Sequence, residues 1–283
     1  MLKFGYVSNG FQDHSLEQMA DVLRRFGYEG IGITLGFPHL DPFHASRARL
    51  AEVRRLLEEK RLSPAIETGA RYVLDPYRKH RPSLVSVDAP AREQRVAYYR
   101  RAVEIAAELG AKVVSLWSGT PQPGIPPEKS WSRLIEGLAP LLDLAGGHGV
   151  RIAFEPEPGM FVEDLAGWRE LRRRLPHPAL GLTIDVGHLA VTEAEPWAEH
   201  LESHAGDLIH VHLDDIRDRV HEHLPLGEGR IDWAEVVAML ERISYAGLAL
   251  VELSRHSHVA PLMAQRSILF LHAVEARVRA RGR

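Results

Sequence analysis

One local pattern recurs along the chain: a helical stretch, a glycine, then a short run dense in Val, Ile and Leu. It reads SLEQMADVLRRFGYEGIGIT from Ser15, EIAAELGAKVVSLW up to Trp117, PLLDLAGGHGVRIAFE up to Glu155 and AMLERISYAGLALVE up to Glu252. The apolar runs show little alternation, as parallel strands covered on both faces do. Gly27, Gly110, Gly149 and Gly247 fall where a helix end or an αβ turn needs left-handed or tight backbone. Eight such runs can be counted, near residues 3–8, 29–34, 63–68, 112–117, 151–156, 180–185, 208–213 and 248–252. Eight alternating β and α units, with no Pro/Gly/Ser-rich linker between them, predict an α/β chain folded as a single (β/α)8 TIM barrel over residues 1–283. An open doubly wound sheet is the structural competitor, but the first strand-to-helix loop has no glycine-rich phosphate motif.

Helix starts are also readable. Ser15 with Gln18, and Asp232 with Glu235, have capping-box spacing. Between Arg92 and Gly110, Val96, Tyr99, Val103 and Ala106 predict one buried stripe. Two connections are longer than a barrel requires, 70–90 and 214–230. Both follow strand C-terminal ends, where barrel active sites are built, so they are expected to be lids or binding loops.

Composition removes several classes of function. Without cysteine there is no disulfide framework, thiolate nucleophile, iron–sulfur cluster or Cys-based zinc site. Lys and Arg number 35 against 38 Asp and Glu, a net charge of −3, so nucleic acid is not an expected partner. No apolar run approaches the length of a membrane span and the N-terminus does not read as a signal peptide, so a cytoplasmic protein is expected. Assembly into a homo-oligomer stays open. Sixteen histidines are present, nine of them from His188 to His258.

The late strands end on metal-ligand residue types. The fifth ends with Glu155, the sixth with Asp185 and then His188. The seventh carries His210, His212, Asp214 and Asp215, and the eighth ends with Glu252 before Arg255. The steps Glu155 to Asp185, to His212, to Glu252 are 30, 27 and 40 residues, each about one βα unit, so a barrel brings them to one mouth. Two Glu, one Asp and one His make an oxygen-rich set for one divalent metal: Mn²⁺, Mg²⁺, Co²⁺ or Zn²⁺. His210 lies on the same strand face as His212, so either is open to a core role. Glu155 and Glu252 suit an acid/base pair for a small sugar-like carbonyl substrate. One takes the C–H proton, an enediolate forms, and the other returns the proton. His188 and Arg255 are expected substrate-oxygen contacts, and Trp117 an apolar wall behind the sugar, with ordinary loop and packing roles as the alternatives for Arg255 and Trp117.

With those residues in place, the chain resembles the xylose-isomerase-like barrel superfamily, on Glu155, Asp185-x-x-His188, His212-x-x-Asp215 and Glu252. The segment DRVHEHLPLGEG (218–229) and the following IDW are similar to sugar phosphate isomerase/epimerase members and to endonuclease IV. The resemblance implies one metal on Glu155, Asp185, His212 and Glu252, and sugar isomerase or epimerase activity. It offers an inosose-dehydratase-type lyase, or an abasic-site phosphodiesterase, as alternatives. From endonuclease IV it implies a second metal on His188, His221 and His223, with His taking the place of an Asp at 221. Two departures stand out. Gly69 and Trp117 lie where the endonuclease supplies imidazoles, and Phe161 lies where ketose epimerases carry a further Glu, with Glu157 nearby in another register.

Overall fold

A computed structural model describes residues 1–281; the last two residues of the expected 1–283 domain lie outside the described residues. Strands and helices alternate as β1 (Lys3–Val7), α1 (Leu16–Phe26), β2 (Gly30–Thr34), α2 (Arg47–Lys60), β3 (Ser63–Glu67), α3 (Ala89–Leu109), β4 (Val113–Leu116) and α4 (Pro127–Gly147). They continue as β5 (Arg151–Phe154), α5 (Leu165–Arg174), β6 (Leu180–Asp185), α6 (Val186–Thr192), α7 (Ala198–Ser203), β7 (Leu208–Leu213), α8 (Trp233–Arg242), β8 (Leu248–Val251) and α9 (Ala260–Arg281). The eight strands close into one barrel in sequence order, so the fold is a single (β/α)8 TIM barrel. Each strand lies within two residues of its expected position. Among the described residues no helix is long and apolar enough to cross a membrane.

Compact packing groups the chain into two units, one of residues 1–32, 56–63 and those from 183 on, the other of 33–55 and 64–182. In the first, β8 pairs in parallel with β7 and β1, and β1 with β2. A Cβ on Gly5 would run into Leu250, and one on Gly30 would lie 2.6 Å from Leu248, so these glycines make room for the leucines of β8. Tyr6 meets Phe11 and Tyr28 edge-to-face, and the Tyr28 hydroxyl donates to the Ala264 carbonyl at 2.7 Å. Ser15 and Gln18 make both halves of the expected capping box, and Asp232 accepts from the N–H groups of Ala234 and Glu235. Gly27, Gly110 and Gly149 are left-handed, with φ of 87°, 78° and 66°. Gly247 is required for a different reason. The left-handed residue of its turn is Ser244 (φ 54°), whereas a Cβ on Gly247 would collide with the Tyr245 hydroxyl and the Ile209 carbonyl.

In the second unit β3, β4 and β5 pair in order, and Phe154 of β5 faces Leu182 of β6. Helix α3 is the long amphipathic helix expected between Arg92 and Gly110. Tyr99, Val103 and Ala106 are buried as expected, but Val96 is only half-buried. The buried face is turned toward Arg95, Tyr98 and Ala102. A hydrophobicity pattern passes over Arg95, whose guanidinium is solvated by backbone carbonyls instead of water: Nε donates to Pro82 and Nη2 to His80.

Candidate metal centre

Three of the expected ligands come from the first unit. Asp185 ends β6 and caps α6, its Oδ1 accepting the His188 backbone N–H at 3.0 Å. The cap fixes the carboxylate at the strand end and leaves Oδ2 buried, with no hydrogen-bond partner among the described residues. His212 is buried on β7, and its Nδ1 lies 3.0 Å from Oε2 of Glu252, the residue just past β8. Asn9, in the turn after β1, donates its amide to the other Glu252 oxygen at 2.5 Å. A ligand atom from each of Asp185, His212 and Glu252 lies within 4.8 Å of the other two. Burial alone would raise the Glu252 carboxyl, but the His212 imidazole beside it holds it below the ordinary value. Burial likewise opposes ionisation of Asp185, and the positive charge of His188 and His223 outweighs it.

Glu155 belongs to the second unit. It is buried, and its N–H donates to the Leu116 carbonyl at 2.8 Å, extending the β4–β5 ladder one residue past β5. Trp117, one residue past β4, is 6% exposed; the His80 ring meets it edge-on at 5.3 Å and the Arg95 guanidinium lies over it at 5.0 Å. Phe161 packs against Trp131 at 4.9 Å, and Glu157 is half-buried.

The structure brings His188, His221 and His223 together. The Nε2 of His221 lies 3.0 Å from that of His188 and 2.8 Å from that of His223. Asp214, fully buried, places Oδ2 2.5 Å from Nδ1 of His223, which turns Nε2 of that ring toward the other two. Burial and the neighbouring Asp185 raise the Asp214 carboxyl, while Asp214 overcomes burial to raise the His223 imidazole. Burial, then the neighbouring His188 and His223, push His221 down to about 3, so that ring is neutral. The turn DVGH needs its glycine here, because a Cβ on Gly187 would run into the Asp214 carboxylate.

The connection 214–230 is organised by Asp215. Its carboxylate accepts from the N–H groups of Ile216 (3.0 Å), Gly227 (2.8 Å) and Ile231 (3.2 Å), and from the Trp233 indole at 2.9 Å. Gly229 lies where a Cβ would strike that carboxylate. Arg255 is exposed, and its guanidinium donates to the His221 carbonyl at 2.9 Å, so in this structure it clamps the loop that carries His221. His210 is buried beside His212, with ring centroids 4.9 Å apart. Asn9, the pairing of Asp214 with His223 and the hub role of Asp215 have no sign in the sequence. Asp214 and Asp215 both stand in the strand-end motif HVHLDD and both are fully buried, so only their partners, His223 for one and the loop N–H groups for the other, tell them apart.

The model of the xylose isomerase-like TIM barrel family matches residues 20–274. An uncharacterized protein of Methanocaldococcus jannaschii, MJ1311, is 29% identical over 224 residues, 72% of either chain. The L-ribulose-5-phosphate 3-epimerase UlaE of Salmonella paratyphi C is 26% identical over 224 residues, 78% of either chain. Among solved structures, a D-tagatose 3-epimerase-like protein superposes over 100% of both chains with a TM-score of 0.82 at 21% identity, a likeness of fold.

Proposed function

Because the chain belongs to the xylose isomerase-like TIM barrel family, we propose that it is a divalent-metal-dependent sugar isomerase or epimerase, working as one barrel domain on a small sugar-like carbonyl substrate in the cytoplasm. The observation that carries this reading is the gathering of Asp185, His212 and Glu252 at the ends of three successive strands. UlaE, named for a ketose phosphate epimerase activity, supports the substrate class.

In this reading Glu155, Asp185, His212 and Glu252 hold one ion, of Mn²⁺, Mg²⁺, Co²⁺ or Zn²⁺. The donors fit such a group: carboxylate oxygens with one imidazole, and a buried Asp185 oxygen that no hydrogen bond satisfies. Glu155 joins from β5, the strand paired with β6. When bound, the ion supplies positive charge next to the substrate carbonyl and so acidifies the adjacent C–H. Glu252, held at one oxygen by Asn9 and at the other by His212, takes or returns that proton. Glu155 serves the other face of the carbon, three strands away in the ring of eight. His188 contacts a substrate oxygen, and Trp117 excludes water behind the sugar. Arg255 contributes by holding the His221 loop, and reaches a substrate oxygen if that loop closes.

The test is incubation of the metal-loaded protein with L-ribulose 5-phosphate and D-tagatose in deuterated water. The expected result is an epimer or isomer carrying one solvent deuterium at the carbon that changes. Loss of water from the product would favour the dehydratase alternative, and neither turnover nor exchange would sink the reading.

The three-histidine cluster supports a second metal. Adjacent nitrogens around a tetrahedral zinc with Zn–N near 2.0–2.1 Å stand about 3.3 Å apart, close to the 2.8 and 3.0 Å separations here. Zinc titration is expected to reach two equivalents per chain, and His223→Ala to lose one of them. A single equivalent in the unaltered protein would remove the second site. Three equivalents would instead favour the abasic-site phosphodiesterase.

A further inference from the structure

Arg95 stands on the second turn of α3 and is completely buried. Among the described residues its guanidinium has no carboxylate partner. Its Nε donates to the Pro82 carbonyl at 2.6 Å and its Nη2 to the His80 carbonyl at 2.9 Å, while Nη1 has no hydrogen-bond partner among the described residues. The rings of Tyr98, Tyr99 and Trp117 surround it at 5.6, 5.2 and 5.0 Å. A buried cation without a counter-ion is costly, and carbonyls and aromatic faces only partly compensate. What those few contacts hold is therefore the reason to look for.

Both carbonyls belong to the connection between β3 and α3, residues 68–88, which contains neither helix nor strand. Its outer part exposes Tyr77, Arg78 and Lys79. The His80 ring turns inward, with Nδ1 2.5 Å from the Gly69 carbonyl and its edge against Trp117. Burial, and the cations Lys79, Arg95 and Arg71 around it, push the His80 pKa down to about 4, so the neutral ring donates from Nδ1. Arg95 thus holds two ends of one assembly: it fastens the backbone at His80 and Pro82, and it covers the same indole that the His80 ring touches.

We propose that Arg95 is a positioning residue, locking the β3–α3 connection onto Trp117 and so fixing the apolar wall behind the substrate. The role in catalysis rests on the proposed function; the lock itself does not.

Arg95→Met keeps the apolar stem and removes the donors and the charge. On the metal-loaded full chain, trypsin is expected to cut after Arg71, Arg78 or Lys79 about tenfold faster or more, because each lost charged hydrogen bond lowers the free energy of local opening. Emission of Trp117, taken as the difference between proteins with and without Trp117→Phe, should move to longer wavelength. With a ketose that the unaltered protein turns over, KM should rise about tenfold while kcat changes less than about threefold, the pattern of lost binding rather than lost chemistry. Digestion within about twofold of the unaltered protein, or unchanged Trp117 emission, would overturn the lock. A fall in kcat with unchanged KM would overturn the positioning role. If Arg95→Met does not fold, Arg95→Lys decides: one retained donor predicts intermediate digestion, and digestion at the unaltered rate refutes the proposal. If no ketose is turned over, the sugar reading fails, while digestion and emission still decide the lock.

Discussion

Glu252→Gln is expected to lower kcat by about 10²–10⁴-fold, the range that a positioned proton-transfer group contributes. The substitution is close to isosteric. Its carbonyl oxygen can keep the Asn9 amide bond, and its amide can face Nδ1 of His212, so the protein should fold with the site in place. What disappears is the basic oxygen. Glu155→Gln should cost a similar factor, but the two variants should differ in exchange. If each glutamate serves one face of the carbon, each variant still exchanges deuterium into one epimer and not into the other. Deuterium incorporation by NMR, run from both epimers, reads this directly. A kcat within about tenfold of the unaltered enzyme for both variants would remove the two-glutamate scheme.

Removal of the proposed metal carries the second large effect. Asp185 and Glu252 are held close together with His212, and without an ion their charges are balanced only by imidazoles. An ion present at 100 times its Kd stabilises the folded state by about 2.7 kcal/mol. For a chain of this size that corresponds to roughly 5 °C in Tm. Dialysis against chelator should lower Tm by about that amount, and Mn²⁺ or Zn²⁺ should restore it. Asp185→Asn separates the ion from the cap. Asparagine keeps an oxygen for the His188 N–H, so the metal-free Tm should change little, whereas the metal-dependent rise should shrink or vanish. A Tm indifferent to chelation, with no metal found by elemental analysis, would mean that the carboxylates serve structure alone.

Much of this architecture was legible in the sequence because the physics behind it is local. Runs of Val, Ile and Leu bounded by helix caps and glycines mark buried parallel strands, and each strand fell where its run predicted. Glu155, Asp185, His212 and Glu252 could be grouped in the sequence because each stands at or near the end of such a run. Contacts made at long range left no such mark. Asn9 is one polar residue in SNGF, and only its approach to Glu252 across 243 positions gives it a role. Of the left-handed or tight backbone expected at Gly247, the structure shows the tight alternative, room beside the Ile209 carbonyl, a choice that the sequence leaves open. Arg95 follows Arg92, Glu93 and Gln94 on α3, where a charged side chain ordinarily signals solvent; its contact with two carbonyls of the connection leading into that helix has no sequence signature.

The four N–H groups gathered on Asp215 bear on how this centre could change over time. The frame of the loop is set at its two ends, by Asp215 and Ile216 on one side and Gly227, Ile231 and Trp233 on the other. The imidazoles of His221 and His223 make none of the hydrogen bonds to Asp215, although His223 stands against Asp214 beside it. The segment between the anchors is strapped at two further points, where Leu224 pairs with the Asp215 backbone and Arg255 holds the His221 carbonyl. If a second ion is held there as proposed, point changes at 221 and 223 retune it without touching the Asp215 anchors, and a change at 223 also leaves the buried Asp214 carboxyl without its imidazole.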